Sequence, residues 1–263
     1  MIASGTLKTQ LSRHLGDSKK RRVQRLLGRV PLFRKDLTRL AEIFGTDKGQ
    51  GHSYVEHYQR HFEPLRREKL NVLEIGIGGH ADPRQGGKSL RMWKAYFPKS
   101  NIFGLDIYEK RYHEESRIKT FQGSQADESF LKAMAAEIGK IDIIIDDGSH
   151  LNAHVVGTFK IMFPLLSSKG IYAIEDLQTS YWQNVNGETW DGSNDLHASH
   201  TSMNFLKSLV DGLNYEEFPM DEYRPSYFDR HIVAVYFYHN LVFIYKGQNN
   251  EGSNILGKRF GQF

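Results

Sequence analysis

From residue 70 onward, short apolar segments alternate with amphipathic stretches along the chain. This alternation predicts an α/β domain in which helices cover a mostly parallel sheet. The predicted strands of the alternating region are residues 71–75, 102–107, 118–122, 141–146 and 170–175. The predicted helices among them are residues 89–97, 128–138, 153–166 and 202–213.

Two further apolar segments, 231–238 and 241–246, are separated by the turn residues His239 and Asn240. Adjacent strands without an intervening helix predict an antiparallel hairpin at the edge of the sheet. The sheet therefore has seven predicted strands, and residues 70–263 are predicted to be one domain.

The N-terminal part differs in charge. Residues 1–35 contain ten Lys or Arg residues and one acid, Asp17, whereas the whole chain has a net charge of only +4. Leucines and valines recur among these basic residues at helical spacing, so they predict an amphipathic arm that packs on its own domain or on a partner subunit of a homo-oligomer. Peripheral contact with a membrane surface is the alternative interpretation. Residues 36–69 predict a helical segment, with helices at 36–44 and 54–65.

The composition of the chain excludes several kinds of site and partner. The chain has no cysteine, so thiolate metal sites and cysteine nucleophiles are excluded and a reducing cytoplasm is the expected location. No apolar run approaches the roughly 18 residues that span a bilayer. Without the arm, the remaining residues are net acidic, which argues against a nucleic-acid partner.

A glycine turn follows the first predicted strand. Glu74 lies in this strand, and Gly76 and Gly78 follow it, so that a ligand can approach the backbone closely. The turn does not match the G-x-G-x-x-G fingerprint of dinucleotide binding, because Ala81 stands at the third glycine position. A plain connection between strand and helix is the alternative.

Polar residues follow the next two strands. Asp106 ends the second, and its two carboxylate oxygens suit the two vicinal hydroxyls of a ribose. Ser124 and Gln125 follow the third, where polar side chains can bind the edge of an adenine. Together with the glycine turn, this order predicts a nucleoside site, although a single acid in such a position is commonly a helix cap.

Acidic residues dominate the ends of the fourth and fifth strands. Asp146 and Asp147 follow three isoleucines and precede His150, and Glu175 and Asp176 end the neighbouring strand. Converging carboxylates raise one another's pKa unless a cation neutralises them. Oxygen ligands suit magnesium, manganese or calcium, and His150 is placed to accept a proton from a bound substrate. Capping of the following helices is the alternative role of Asp147 and Asp176.

Several of these segments together resemble the macrocin and mycinamicin type of S-adenosylmethionine (SAM)-dependent sugar O-methyltransferases. Related methyltransferases act in the cephalosporin cluster and on mycobacterial glycolipids and polysaccharides. The resemblance covers roughly half the chain and rests on GTDKG at 45–49, LEIG at 73–76, SLRMW at 89–93, DDGSH at 146–150 and IEDLQTSYW at 174–182.

The resemblance implies a Rossmann-like class I methyltransferase fold with SAM and magnesium as cofactors. Magnesium would be held by Asp147, Glu175 and Asp176, and His150 would be the base. The residues that would surround SAM are Glu74, Gly76, Gly78, Ser89, Asp106, Ser124, Gln125, Asp146 and Tyr58. Tyr58 and the Thr46-Asp47-Lys48 segment would belong to a lid formed by residues 36–69, and simple packing of the N-terminal helices is the alternative.

The acceptor is predicted to be a sugar-bearing glycoside, glycolipid or oligosaccharide. Tyr181 and Trp182 follow the fifth strand, and aromatic faces suit sugar rings, although ordinary packing explains them equally well. Residues after them are rich in Asn, Gly and Asp and predict a mobile loop. A catechol-type O-methyltransferase, a nucleic-acid methyltransferase that uses the basic arm, and a cofactor-binding scaffold without activity are the competing interpretations.

Overall fold

Residues 36–219 and 222–253 are described by the computed structural model; the predicted basic arm, residues 1–35, lies outside them. The helices are α1 Leu37–Phe44, α2 Asp47–Gln50, α3 Val55–Phe62, α4 Lys88–Tyr96, α5 Glu128–Ile138, α6 Asn152–Leu165, α7 Ser202–Leu213 and α8 Tyr227–His231. The strands are β1 Asn71–Ile75, β2 Asn101–Asp106, β3 Ile118–Gln122, β4 Ile141–Asp146, β5 Leu166–Ile174, β6 Asn184–Val185, β7 Glu188–Thr189, β8 Ile232–Tyr238 and β9 Leu241–Lys246. Short 3-10 helices are Glu63–Leu65, Arg111–His113, Leu177–Tyr181 and Tyr215–Glu217.

Seven of these strands form one sheet in the order β3-β2-β1-β4-β5-β9-β8. The pairs among β1 to β5 are parallel, whereas β9 runs antiparallel to both β5 and β8. The predicted α/β fold with a mostly parallel seven-stranded sheet and a C-terminal antiparallel hairpin is therefore confirmed. The remaining strands, β6 and β7, form a separate two-stranded hairpin.

The centre of the sheet is apolar on both faces. Every residue of β4 is buried, including the three isoleucines 143–145, as expected of a parallel strand covered on both sides. Helices α5, α6 and α7 contribute Leu131, Phe159 and Leu206 to the core cluster of this unit. Burial of these side chains fixes the sheet against its helices.

By its contacts, the described chain divides into two units. One consists of residues 36–68 and Lys88–Lys99, and the other of Lys69–Gly87 and residues 100–253. Within the smaller unit, Trp93 of α4 packs edge-on against Tyr58 and Phe62 of α3, with ring centroids 5.1 and 5.8 Å apart. The larger unit contains the whole sheet.

Several boundaries differ from the sequence prediction, and two of these differences change the local structure. β2 ends at Asp106, so Ile107 lies outside the strand and is 62% exposed. β5 begins at Leu166 rather than 170, directly after α6. The buried ammonium of Lys246 on β9 explains this junction, because it donates to the carbonyls of Phe163 and Leu166 at the end of α6.

Among the described residues, no helix has the length and apolar character that crossing a membrane requires.

Candidate active site

The register of the parallel strands brings their carboxyl ends together. Ile75 at the end of β1 lies opposite both Leu105 and Asp146, and Asp146 lies opposite Ile174 on β5. The glycine turn, Asp106 and the two acidic pairs therefore follow neighbouring strands at one edge of the sheet. Ligands of open α/β sheets bind at this edge.

The glycine turn is shaped by close backbone contact. Gly76 has φ 92°, and a β-carbon there would lie 1.9 Å from the carbonyl oxygen of Asp147. By contrast, the nearest atom to a β-carbon on Gly78 would be 4.0 Å away. Gly76 is therefore needed for packing between β1 and β4, whereas Gly78 leaves open space in the turn.

A buried lysine holds the loop that follows this turn. Lys110, only 1% exposed, donates from Nζ to the carbonyls of His80 at 2.7 Å, Asp82 at 2.9 Å and Gln85 at 3.3 Å. His113 adds a bond from Nε2 to the Gln85 carbonyl at 2.9 Å. The loop is thus fixed from inside by cationic and aromatic side chains that the sequence reasoning did not identify.

Asp106 lies beside the glycine turn, as predicted. Its Oδ2 accepts the N–H of Ile77 at 3.0 Å, and its Oδ1 accepts the N–H of Tyr108 at 2.9 Å. Each carboxylate oxygen can accept more than one hydrogen bond, so both oxygens retain capacity for hydroxyl groups. Ile107 and Tyr108 are exposed apolar neighbours of this carboxylate, 62% and 43% exposed.

Gln125 is 7% exposed and joins the ends of β3 and β4. Its Nε2 donates to Asp146 Oδ1 at 3.2 Å, and its Oε1 accepts the N–H of Ser149 at 2.7 Å. A β-carbon on Gly148 would lie 2.0 Å from that Oε1, which explains the glycine between the aspartate pair and Ser149. The predicted neighbour Ser124 accepts the N–H of Ala126 at 3.1 Å and is half-buried.

Asp146 is buried at the end of β4. Desolvation raises the pKa of its carboxyl to about 7, although the hydrogen bond from Gln125 acts in the opposite direction. The Tyr172 hydroxyl also donates to Asp146, at 3.5 Å. Burial raises the pKa of the Tyr172 phenol well above its ordinary value. A carboxyl so deeply buried organises the neighbouring polar groups rather than facing solvent.

Asp147, His150 and Asp176 form a carboxylate–histidine cluster. Each offers one ligand atom within 4.8 Å of those of the other two. His150 Nε2 lies 3.9 Å from Asp147 Oδ1 and 3.6 Å from Asp176 Oδ2. The three side chains are between 15% and 24% exposed, which leaves them open to a ligand.

Two further acids of the predicted site, Glu175 and Glu74, are more deeply buried than the cluster residues. Glu175 is 3% exposed, and its carboxylate is not part of the carboxylate–histidine cluster. Glu74 is fully buried within β1. Helix capping does not explain the acidic pairs, because Asp191 bonds the first N–H groups of α6 and Asp176 makes no side-chain cap at the 3-10 helix that follows it.

The aromatic residues after β5 belong to an ordered turn. Trp182 and Trp190 meet edge to face, with centroids 5.9 Å apart, at the base of the hairpin formed by β6 and β7. Tyr181 is 40% exposed. The carboxylate of Asp191 bonds the start of α6, so the 183–201 loop is anchored at a point that the sequence did not indicate.

Two predicted cofactor residues lie in the smaller unit. Tyr58 is fully buried and packs against Trp93. Ser89 is 8% exposed in the first turn of α4, which begins one residue earlier than predicted. In the same unit, Lys48 of the predicted lid segment is 1% exposed.

No protein-family model matches the chain. The mycinamicin VI 2''-O-methyltransferase of Micromonospora griseorubida is 46% identical over 219 residues, which cover 82% of this chain and 54% of that protein. The demethylmacrocin O-methyltransferase of Streptomyces fradiae is 48% identical over 219 residues, with the same two coverages. The chain thus spans about half the length of these curated relatives.

The structural comparison agrees. The MycE methyltransferase of the mycinamycin biosynthetic pathway, in complex with Mg and SAH, matches with a TM-score of 0.79 and 46% identity, over 83% of this chain and 55% of that chain. Its complex with Mg, SAH and mycinamycin VI also matches with a TM-score of 0.79, at 44% identity over 86% and 58% of the two chains. Over the matched region, the chain is therefore a homologue of the macrocin- and mycinamicin-type sugar O-methyltransferases and belongs with that family.

Proposed function

We propose that this chain transfers the methyl group of SAM to a sugar hydroxyl of a glycoside, with magnesium bound at the carboxylate–histidine cluster. The observation that carries the proposal is the placement of Asp147, His150 and Asp176 within ligand distance at the strand ends. Support for the reaction class comes from relatives named as sugar O-methyltransferases.

The donor site is proposed at the ends of β1, β2 and β3. The open space at Gly78 admits the methionine part, and Asp106 accepts the ribose hydroxyls. Exposed Ile107 and Tyr108 offer an apolar surface beside Asp106 for the adenine ring. Gln125 contributes indirectly, because its amide positions Ser149 and Asp146.

The residues at the carboxylate–histidine cluster fit a divalent cation. Two partly exposed carboxylates would supply the oxygen ligands that magnesium prefers. Asp147 and Asp176 would hold the ion, whereas Glu175, which is buried and lies outside the cluster, stays a prediction as a third ligand. Magnesium bound there supplies positive charge that orients a substrate hydroxyl and lowers its pKa.

His150 acts as the general base. Its Nε2 faces both carboxylates of the cluster, so it is close to a hydroxyl bound between them. The hydroxyl oxygen forms a bond to the methyl carbon while the carbon–sulfur bond breaks and its electron pair stays on sulfur. The hydroxyl proton passes to Nε2, and positioning by the surrounding residues supplies the rest of the rate enhancement.

The acceptor is proposed to bind near the 183–201 loop. Tyr181 and Trp182 offer aromatic surface at its start, and the contact between Trp182 and Trp190 keeps the hairpin folded. Relatives are named as O-methyltransferases of mycinamicin VI, of a rhamnosyl tetracenomycin C and of L-olivosyl-oleandolide, which supports a glycoside as the substrate class. Four expectations stay predictions: a homo-oligomer, a membrane contact of the arm, a cytoplasmic location, and the division of the chain into segments at residues 35 and 69.

The decisive experiment uses the purified chain with isotopically labelled SAM. It compares demethyl macrolide glycosides, a rhamnosyl polyketide, catechol and RNA as acceptors, with products identified by mass spectrometry. We expect a labelled O-methyl group on a sugar, loss of product with chelator and recovery with magnesium. Asp147→Asn should abolish turnover, whereas the exposed control Asp211→Asn should not. Methylation of catechol alone, or full activity in chelator, would contradict the proposal.

A further inference from the structure

Two residues of the carboxylate–histidine cluster have unusual backbone conformations. His150 has φ 56° and Asp176 has φ 55°. Both angles lie in the left-handed region of backbone conformation. Residues other than glycine rarely adopt it, because their Cβ comes too close to the carbonyl oxygen. Such conformations persist only where surrounding contacts hold them.

One buried side chain contacts both of these residues. Thr179, 2% exposed, donates its hydroxyl to the His150 carbonyl at 2.7 Å. The same hydroxyl lies 3.3 Å from the carbonyl of Asp176, which also accepts the backbone N–H of Thr179 at 3.4 Å. A hydroxyl has one proton, so the shorter bond to His150 is the principal one and the Asp176 contact is the weaker arm.

The position of Thr179 is itself fixed. Its carbonyl accepts the N–H of Trp182 at 3.1 Å and the Asn152 side chain at 3.5 Å, and a β-carbon on Gly192 would lie 2.3 Å from it. A threonine also has a restricted χ1 because it is branched at Cβ. The hydroxyl is thus presented from a rigid point to two carbonyls that belong to different strand ends.

We propose that Thr179 is a positioning residue that aligns the imidazole of His150 with the carboxylate of Asp176 for metal binding and proton transfer. This inference rests on the proposed function and adds a residue whose hydroxyl contacts the backbone carbonyls of the two cluster residues rather than their side chains. The hydroxyl fixes the two peptide units, and the peptide units fix where their side chains point. Losing the hydroxyl loosens both at once.

The test compares Thr179→Val and Thr179→Ala, which lack the hydroxyl, with Thr179→Ser, which keeps it. Magnesium and SAM binding are measured separately by calorimetry, alongside kcat and both KM values. The control is Thr120→Val in β3, which removes another buried threonine hydroxyl, one that donates to the Glu114 carboxylate at 3.1 Å and makes no contact with His150 or Asp176 in the described hydrogen bonds. The control should leave magnesium binding unchanged.

We expect the hydroxyl-free variants to bind magnesium about tenfold more weakly and to lose kcat, since a buried carbonyl loses its donor. SAM binding should persist, and Thr179→Ser should recover most of the loss. Wild-type magnesium affinity in either folded hydroxyl-free variant would overturn the inference. So would failure of both to fold, because the hydroxyl would then serve the fold rather than the site. A wild-type chain that binds neither SAM nor magnesium contradicts the proposed function instead.

Discussion

The carboxylate of Asp191 holds the first residue of α6, Asn152, by two bonds. Asp191 Oδ1 accepts the backbone N–H and the side-chain Nδ2 of Asn152, each at 2.8 Å, and Oδ2 accepts the N–H of Ala153 at 3.0 Å. A negative charge at a helix N-terminus satisfies otherwise unpaired N–H groups. The 183–201 loop is therefore tied to the helix that begins two residues after His150.

Asp191→Ala should weaken both the helix start and the binding of the acceptor. Loss of an N-terminal cap costs about 1 kcal/mol, which lowers the melting temperature of a domain of this size by roughly 2–4 °C. We expect the KM for the acceptor to rise while SAM binding by calorimetry stays unchanged. Asp195→Ala in the same loop is the control, because the Asp195 carboxylate accepts the nearby N–H of His197 within the loop itself. Equal KM values for the two variants would contradict a role for the anchor.

The hydrogen bonds to the Asp191 carboxylate also predict how the stability of the fold depends on pH. Partial burial alone would raise the pKa of Asp191, but the N–H groups of Ala153 and Asn152 outweigh it and hold that pKa below its ordinary value. A carboxyl with a lowered pKa in the folded state stabilises the protein above the pKa of the unfolded state, and this contribution is lost as pH falls through the folded pKa. The melting-temperature difference between wild type and Asp191→Ala should therefore be constant from pH 5 to pH 8 and shrink toward pH 3.

Gly76→Ala tests the contact between β1 and β4. The added β-carbon would overlap the Asp147 carbonyl at 1.9 Å, so the glycine turn and Asp147, a proposed metal ligand, must both move. We expect SAM affinity to fall by roughly tenfold or more and the melting temperature to drop, as for other overpacked sites. Gly139→Ala separates strain from overlap, since Gly139 has φ 78° but no atom within 4 Å of its β-carbon. The overlap has no functional effect if both variants bind SAM equally.

The fold and the position of the site followed from the hydrophobic pattern. Runs such as Ile143–Ile144–Ile145 predict buried parallel strands, and parallel strands place Asp106 and Asp147 at one edge. Local sequence carries this information because each strand and its following residues are contiguous. The antiparallel hairpin was predictable for the same reason.

The supporting contacts were not predictable from the sequence. Asp191 and Asn152 are separated by 39 positions, and no periodicity relates a loop acid to a distant helix start. His150 and Asp176 adopt positive φ without being glycine, so their conformations depend on tertiary contacts such as Thr179. Gln125 was predicted to bind the adenine edge, and its bonds to Ser149 and Asp146 form only once the sheet has brought the segment after β3 near the end of β4.

His150→Ala tests the base. A general base contributes about 10²-fold to 10⁴-fold, so kcat should fall by that factor. SAM binding should be unchanged, because the imidazole faces the carboxylates of Asp147 and Asp176 rather than the glycine turn. His239→Ala, on the exposed turn between β8 and β9, is the control and should retain turnover. Full turnover by His150→Ala with its acceptor would assign proton removal to another group.

Lys110→Met tests the loop that follows the glycine turn. Methionine keeps much of the buried aliphatic length but removes the ammonium that bonds the carbonyls of His80, Asp82 and Gln85. Hydrogen bonds donated by a buried charge stabilise a structure more than neutral hydrogen bonds do. Because Lys110→Met loses three such bonds, the loop should open more often. We expect the KM for SAM to rise roughly tenfold, with kcat at saturating SAM nearly unchanged.

Trypsin provides a readout of the same loop that does not depend on activity. Arg84 lies in the loop and is exposed, so opening should speed cleavage after it. Lys132→Met is the control, because Lys132 is a surface residue of α5 paired only with Glu128 at 2.7 Å in the described contacts. Faster cleavage in Lys110→Met alone, suppressed by SAM, would assign the ammonium to loop positioning. Equal cleavage in both variants would mean that backbone bonds such as that from Gly87 to Ile77 hold the loop without it.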